Sequence, residues 1–193
     1  VFPFMIFGAF LERSGAGTFF MDLATALTGK WRGGPAKIAT ISSALFGSIS
    51  GSSVANVVAS GAFTIPMMKR IGFKPHHAGG IEAIASTGGQ IMPPIMGAGV
   101  FILATLTQTD YLSIAAMNVI PAVLFFGFVL LMVDLEAVRT GIKGLPMEEI
   151  PRVRDVLRRG WHFFVPLIVV ITLLFKGYSP DLGAFWGTIS TLV

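Results

Sequence analysis

Small hydroxyl-bearing residues and glycines are concentrated in two short runs of this chain, each placed between apolar segments. The first run is GSISGSSVAN at residues 47–56, and the second is STGGQIMPP at residues 86–94. Hydroxyl and carbonyl oxygens are hard ligands that suit Na⁺, and glycine lets the backbone turn and approach a ligand closely. Neither run contains an acidic residue, so neutral oxygens would have to hold a cation. This favours a weakly held, exchangeable Na⁺ over Ca²⁺ or a transition metal.

Two amide side chains accompany these hydroxyls. Asn56 closes the first run, and Gln90 lies in the middle of the second. An amide can donate a hydrogen bond to a carboxylate through its nitrogen, or accept one through its oxygen. The two runs therefore offer ligands for a cation and donors for an anionic solute.

The composition is that of an integral membrane protein. Hydrophobic residues make up 53% and charged residues 12% of the 193 residues, and the mean hydropathy of +0.77 lies outside the range of soluble domains. The chain has no cysteine, which excludes a disulfide framework and a thiolate metal site. The net charge of +4 does not indicate nucleic-acid binding, because the basic residues lie in loops between apolar stretches, as the positive-inside rule describes.

Residues 33–74 are predicted to form a re-entrant helical hairpin. Between Lys37 and the polar run only residues 38–47 remain, about 15 Å of helix against a hydrocarbon core of about 30 Å. Both ends are basic and therefore prefer the cytoplasm. Two tightly spaced full spans remain the alternative. The basic residues are Lys30, Arg32 and Lys37 before the pair and Lys69, Arg70 and Lys74 after it.

Residues 76–109 are predicted to form a helix that is broken in mid-membrane. Pro93 and Pro94 both lack an N–H, and Pro94 moves Pro93 out of the α region. The backbone groups freed by such a break must be buried in protein or line a cavity. Two interrupted hydrophobic segments in one membrane protein indicate the binding site of a transporter.

The predicted fold class is an all-α integral membrane protein: transmembrane helices with a re-entrant hairpin and a discontinuous helix. Residues 1–32 are assigned to a truncated span and an interfacial arm, and residues 111–134 to a span. Residues 135–160 are assigned to a cytoplasmic loop, and residues 161–193 to a further span and the start of the next. Because the chain begins and ends inside apolar runs, we interpret it as part of a longer polytopic protein.

Three stretches closely resemble the large permease subunit of TRAP transporters. They are LFGSISGSSVAN at residues 45–56, GAFTIP at residues 61–66 and STGGQIMPP at residues 86–94. Asn56, where many dicarboxylate members carry Asp, resembles the TAXI-type fused permeases. The resemblance covers residues 1–193 and implies the first of two inverted repeats of an elevator-type transport domain.

This resemblance also implies a function, partners and site residues. It implies a Na⁺-driven importer of an organic anion of the carboxylate class in a bacterial or archaeal plasma membrane, with Na⁺ as coupling ion and no other cofactor. The implied partners are a periplasmic binding protein, a small permease subunit or fused equivalent domain, the organic anion and membrane lipid, with no nucleic acid. The candidate Na⁺ ligands are Ser48, Ser50, Gly51, Ser52, Ser86, Thr87 and Gly88, and the candidate substrate contacts are Ser53, Asn56, Gln90 and Pro93.

Other interpretations of the same residues stay open at this point. An intramembrane serine protease is disfavoured because Ser50 has Ser48, not glycine, two residues before it and no deep histidine follows. A channel also uses re-entrant hairpins, and a non-transporting scaffold is the least specific interpretation. Gly47 and Gly51 form a GxxxG pair that alone indicates close helix packing. Glu82 is expected to pair with a nearby basic residue.

Overall fold

The computed structural model of the protein describes residues 2–191. Val1, Leu192 and Val193, which belong to the predicted first and last spans, lie outside the described residues. Every regular element in residues 2–191 is helical, which confirms the all-α class. The α-helices, numbered in chain order, are α1 (Phe2–Arg13), α2 (Ala16–Thr28), α3 (Gly34–Ser50), α4 (Ser53–Arg70), α5 (Pro75–Gly88), α6 (Gly99–Thr107), α7 (Tyr111–Thr140), α8 (Val153–Gly160), α9 (Phe164–Phe175) and α10 (Pro180–Ser190).

Two segments are long and apolar enough to cross a membrane by length and composition. They are Tyr111–Thr140 and Met147–Phe175. Large apolar side chains along α7 are exposed in the isolated chain, and Phe128, for example, is 65% exposed. An exposed apolar surface of this kind requires a lipid or protein environment.

Helix α3 occupies the centre of the fold and packs against α2, α4, α5 and α7. It begins after Gly33, which has a left-handed φ of 63°, and continues to Ser50. Thirteen of its residues are buried, including Lys37. The sequence leaves only ten residues between Lys37 and the centre of the polar run, whereas the helix has 17 residues, or about 25 Å. The difference arises because residues 48–50 stay helical and the helix already begins at Gly34, before Lys37.

The predicted loop at residues 135–160 is partly helical. Helix α7 continues six residues past the predicted end of its span and ends at Thr140, where Gly141 adopts a left-handed φ of 68°. Helix α8 follows and packs its buried Val156 and Gly160 against the region of α2, since a Cβ on Gly160 would lie 2.0 Å from the Phe19 ring. These residues mark the ends of helices, whereas the positions at which the chain enters and leaves the membrane stay predictions.

Candidate functional site

The turn between α3 and α4 consists of two residues whose types determine its shape. Gly51 has a left-handed φ of 61°, and its N–H donates to the Gly47 carbonyl (3.1 Å), as at a helix C-terminus closed by glycine. Ser52 is extended, and its hydroxyl accepts the N–H of Ala55 (3.3 Å) as the N-cap of α4. The two helices therefore form a hairpin with its tip at Gly51 and Ser52. That the hairpin re-enters the membrane stays a prediction.

The second interruption separates α5 from α6. Helix α5 continues through Gly88, a 3₁₀ turn covers Gly89–Ile91, and the backbone is irregular from residue 92 to residue 98. The break thus begins after the first residues of the STGGQIMPP run, which starts at Ser86, and extends beyond the last residue of that run, Pro94. Residues 86–88 stay helical because Pro93 acts no further back than the carbonyl four residues before it, at Gly89, and the residue directly before it, Met92, is extended. Within the irregular segment the Gly97 N–H donates to the Gln90 carbonyl (2.7 Å), and Met96 has a left-handed φ of 55°.

The structure brings the two interruptions together. The N–H of Ile95 donates to the Ser48 carbonyl (3.2 Å), which joins the irregular segment to the last turn of α3. The Gln90 amide donates to the Ser53 hydroxyl (2.7 Å) at the start of α4. Gly51 lies so close to the irregular segment that a Cβ there would be 2.0 Å from the Met96 carbonyl oxygen.

Glycines and an amide form the inner part of this contact. A Cβ on Gly47 would lie 2.2 Å from the Cα of Gly89, so the two backbones touch. Asn56 is fully buried beside them and donates its amide N–H to the Ser43 carbonyl (2.9 Å). Gly47 and Gly51 therefore both serve close packing, as the GxxxG interpretation predicts, and the surface that they pack against is the second interruption.

The remaining candidate residues occupy different positions. The Ser48 hydroxyl donates to the Leu45 carbonyl (2.7 Å), and the Ser50 hydroxyl accepts the Ser52 N–H (3.4 Å). Thr87 is exposed and donates to the Ala83 carbonyl (2.7 Å), so its hydroxyl does not join the other candidates. Gly88 packs against α7, since a Cβ there would lie 2.2 Å from the Phe125 ring. Pro93 is half-buried in the irregular segment.

A buried polar cluster lies between α4 and α5 and was not predicted from the sequence. Glu82 is fully buried, and its carboxylate accepts hydrogen bonds from the hydroxyls of Ser60, Thr64 and Ser86 (3.2 Å for Ser86). The prediction that Glu82 pairs with a basic residue is wrong within residues 2–191, where no Lys, Arg or His forms an ion pair with it. The sequence signal was present: Ser60 and Thr64 are four residues apart, as are Glu82 and Ser86, so each pair shares one helix face.

The end of the hairpin opposite its tip is held by ion pairs. The ammonium group of buried Lys37 lies 2.5 Å from the Asp134 carboxylate of α7, and Arg32 lies 3.4 Å from the same carboxylate. Arg70, the last residue of α4, pairs with Glu149. The start of the hairpin is thus held by α7 itself, and its end by the segment that follows α7.

Comparisons with known proteins agree on one family. Residues 1–193 match the family described as "Tripartite ATP-independent periplasmic transporter, DctM component". A C4-dicarboxylate TRAP transporter large permease protein DctM from Pseudomonas aeruginosa is 34% identical over 96% of this chain and 42% of its own length.

Two further relatives match nearly the same share of this chain at a lower sequence identity. The protein of that name from Rhodobacter capsulatus is 26% identical over 94% of this chain and 44% of its own length. An ectoine/5-hydroxyectoine TRAP transporter large permease protein from Ruegeria pomeroyi is 26% identical over 94% of this chain and 42% of its own length. The chain therefore spans less than half the length of these curated relatives.

Proposed function

The chain belongs to the DctM family of large permease components of TRAP transporters, and on that premise we propose that it forms part of a Na⁺-coupled permease that imports an organic anion. Proteins of this family are transport proteins of membranes, so an enzymatic role such as an intramembrane protease is not favoured. The proposal places the protein in a bacterial or archaeal plasma membrane. Its partners are a periplasmic binding protein and a small permease subunit or fused domain.

One observation carries this proposal: the hairpin tip of α3 and α4 packs directly on the irregular segment between α5 and α6. The C-terminus of α3 and the N-terminus of α4 lie side by side at Gly51 and Ser52. Helix C-terminal carbonyls attract a cation, whereas a helix N-terminus attracts an anion. The hairpin tip therefore provides adjacent positions of opposite preference, which suit coupled transport of Na⁺ and an anion, and the second interruption packs on them.

The predicted ligands divide between these sites. Ser48, Ser50, Gly51 and Ser52 surround the end of α3 and supply hydroxyl and carbonyl oxygens for Na⁺. Ser53 and Gln90, joined by their 2.7 Å hydrogen bond, lie at the start of α4 and can turn toward a substrate carboxylate. Two of the relatives above are named for C4-dicarboxylates, which are organic anions, and this supports the carboxylate class. In this proposal the hairpin is re-entrant and moves with the irregular segment as one elevator-type unit.

The test is uptake by the full-length permease, reconstituted with its small subunit and binding protein in liposomes. Radiolabelled anions that bind the purified binding protein serve as probes. We expect uptake to require both the binding protein and an inward Na⁺ gradient, and to cease when choline replaces Na⁺. Uptake that persists without either would indicate a channel instead. Uptake that needs the binding protein but is indifferent to Na⁺ would refute sodium coupling.

A further inference from the structure

The buried carboxylate of Glu82 has hydrogen-bond partners but lacks a neutralising charge among the described residues. Glu82 is 0% exposed, and Ser60, Thr64 and Ser86 around it are at most 5% exposed. Hydroxyl donors satisfy the carboxylate oxygens without contributing a formal charge. A buried charge is expensive unless it is paired, and the cost is greatest in a membrane. The ion pairs of residues 2–191 involve other carboxylates.

We propose that Glu82 and the hydroxyls of Ser60, Thr64 and Ser86 form a Na⁺ site inside the α4–α5 packing, separate from the hairpin tip. One carboxylate and three hydroxyls supply five oxygen atoms and a single negative charge. Such a set is hard, and its charge matches a monovalent cation, whereas Ca²⁺ sites commonly use several carboxylates. This inference rests on the proposed Na⁺-coupled function and adds a coupling site to it.

Each of the three hydroxyls around Glu82 has a second oxygen nearby to which its hydrogen can turn. The hydroxyl oxygen is then available to a cation. The Ser60 hydroxyl lies 2.7 Å from the Asn56 carbonyl oxygen, and the Thr64 hydroxyl lies 3.0 Å from the Ser60 carbonyl oxygen. The Ser86 hydroxyl lies 3.4 Å from the Ser43 hydroxyl. The hydroxyl hydrogens can therefore turn to these acceptors, so that lone pairs and the carboxylate face a bound ion.

The cluster is connected to the contact between the two interruptions. Ser60 Oγ lies 3.4 Å from the side-chain oxygen of Asn56, whose amide nitrogen donates to the Ser43 carbonyl. A Cβ on Gly89 would lie 3.1 Å from that same amide nitrogen. A cation between α4 and α5 would thus hold together the two helices whose ends form the contact between the interruptions. Binding of Na⁺ at Glu82 would in this way stabilise that contact.

The experiment measures Na⁺ binding without transport. The thermal unfolding midpoint of the purified full-length permease is followed as NaCl replaces choline chloride at constant ionic strength. For Glu82→Gln, which keeps the shape and loses the charge, we expect the Na⁺ concentration at half-maximal shift to rise about tenfold or more. Exposed Glu148 provides the matched control, and Glu148→Gln is expected to titrate like wild type.

A second pair of variants covers the case in which Glu82→Gln does not fold. Thr64→Val removes one ligand oxygen and preserves the shape of the side chain. Thr105→Val is its control, because the Thr105 hydroxyl also bonds the carbonyl four residues before it (2.9 Å) but is exposed. We expect Thr64→Val to weaken Na⁺ binding severalfold and Thr105→Val to leave it unchanged. Equal Na⁺ titrations in wild type and both cluster variants would overturn the inference.

The outcome separates this inference from the proposed function. If wild-type uptake depends on Na⁺ while the cluster variants bind Na⁺ normally, the function is supported and the Glu82 site is refuted. If wild-type uptake ignores Na⁺ but the Na⁺-induced shift disappears in Glu82→Gln, the cluster is a cation site and the coupled function fails.

Discussion

The backbones of Gly47 and Gly89 are in direct contact, and this contact joins the hairpin to the second interruption. The space between them cannot hold a methyl group, since a Cβ on Gly47 would lie 2.2 Å from the Cα of Gly89. The buried Asn56 amide borders the same space, because its nitrogen would lie 3.1 Å from a Cβ on Gly89. Any larger residue at either glycine must therefore separate α3 from the end of α5.

Gly47→Ala should destabilise the protein and impair uptake together. The added methyl group meets backbone, which cannot turn aside as a side chain would, so α3 must shift. Overpacking of this kind lowers the free energy of unfolding by about 1–3 kcal/mol. The measurement is the thermal unfolding midpoint of the full-length permease, combined with its uptake rate.

Gly127→Ala is the matched control for this change. Gly127 is also helical, but a Cβ there would have no atom within 4 Å. We expect unchanged or slightly increased stability, because alanine favours a helix by up to about 1 kcal/mol over glycine. Equal effects of the two substitutions would contradict the importance of the glycine contact.

The sequence was sufficient to predict the hairpin and the presence of a break. Gly51 and Ser52 are residue types that end one helix and begin the next, and Pro93 with Pro94 cannot continue a helix. These are local effects, which the types of neighbouring residues determine. The serines at residues 48 and 50 predict an early end to α3, whereas tertiary packing keeps residues 48–50 helical.

Contacts between distant segments could not be predicted in the same way. The link from the Gln90 amide to Ser53 joins residues 37 positions apart, and nothing in either neighbourhood specifies it. Glu82 was expected to find a basic partner, yet it is surrounded by hydroxyls from α4 because the arm of the hairpin packs along α5. The assignment of individual Na⁺ and substrate ligands, and the likeness to fused TAXI-type permeases, stay predictions.

Tyr111→Phe should loosen the irregular segment without changing the core around it. The Tyr111 hydroxyl lies 2.9 Å from the Pro94 carbonyl oxygen and also contacts that of Ile95. Phenylalanine keeps the stacking on Phe101, whose ring centroid is 4.8 Å away, but leaves buried carbonyl groups without this donor. We expect a loss of about 1–3 kcal/mol in the free energy of unfolding.

Denaturant or thermal unfolding of the Tyr111→Phe variant provides the measurement. Tyr178→Phe is its control, because Tyr178 is 50% exposed and its substitution should change stability by less than about 0.5 kcal/mol. If the two variants were equally stable, the Tyr111 hydroxyl would not hold the irregular segment.

Asp110, just before α7, should give the protein a pH-dependent component of stability. Its carboxylate accepts the hydroxyl (2.7 Å) and the N–H (2.9 Å) of Ser113, and these hydrogen bonds hold the pKa of Asp110 below its ordinary value of 3.8. A lowered pKa in the folded state stabilises the protein above the ordinary value, and the contribution is lost as pH falls through the folded pKa.

The comparison of wild type with Asp110→Asn between pH 7 and pH 3 tests this component. Asparagine still accepts the capping hydrogen bond but cannot ionise, so the wild type should have the higher unfolding midpoint at pH 7. The difference should shrink toward zero as the pH falls below the ordinary carboxyl pKa. A difference that is constant across this range would mean that the charge of Asp110 contributes nothing.

Ser53→Ala tests whether the contact between the interruptions takes part in substrate binding. The substitution removes the oxygen that accepts from the Gln90 amide, at a position that is only half-buried, so the fold should tolerate it. If this pair turns toward a substrate carboxylate, loss of one hydrogen bond to a charged group should raise the apparent KM for uptake about tenfold, equivalent to about 1.4 kcal/mol. The Na⁺ concentration for half-maximal uptake should change less, because the predicted cation ligands at the end of α3 are intact.

Ser190→Ala is the control for Ser53→Ala. It removes a hydroxyl that bonds within α10 (2.7 Å to the Gly187 carbonyl), and it should leave both the KM and the Na⁺ dependence unchanged. A Ser53→Ala permease with wild-type KM would remove Ser53 from the substrate site and leave its hydrogen bond to Gln90 a purely structural link.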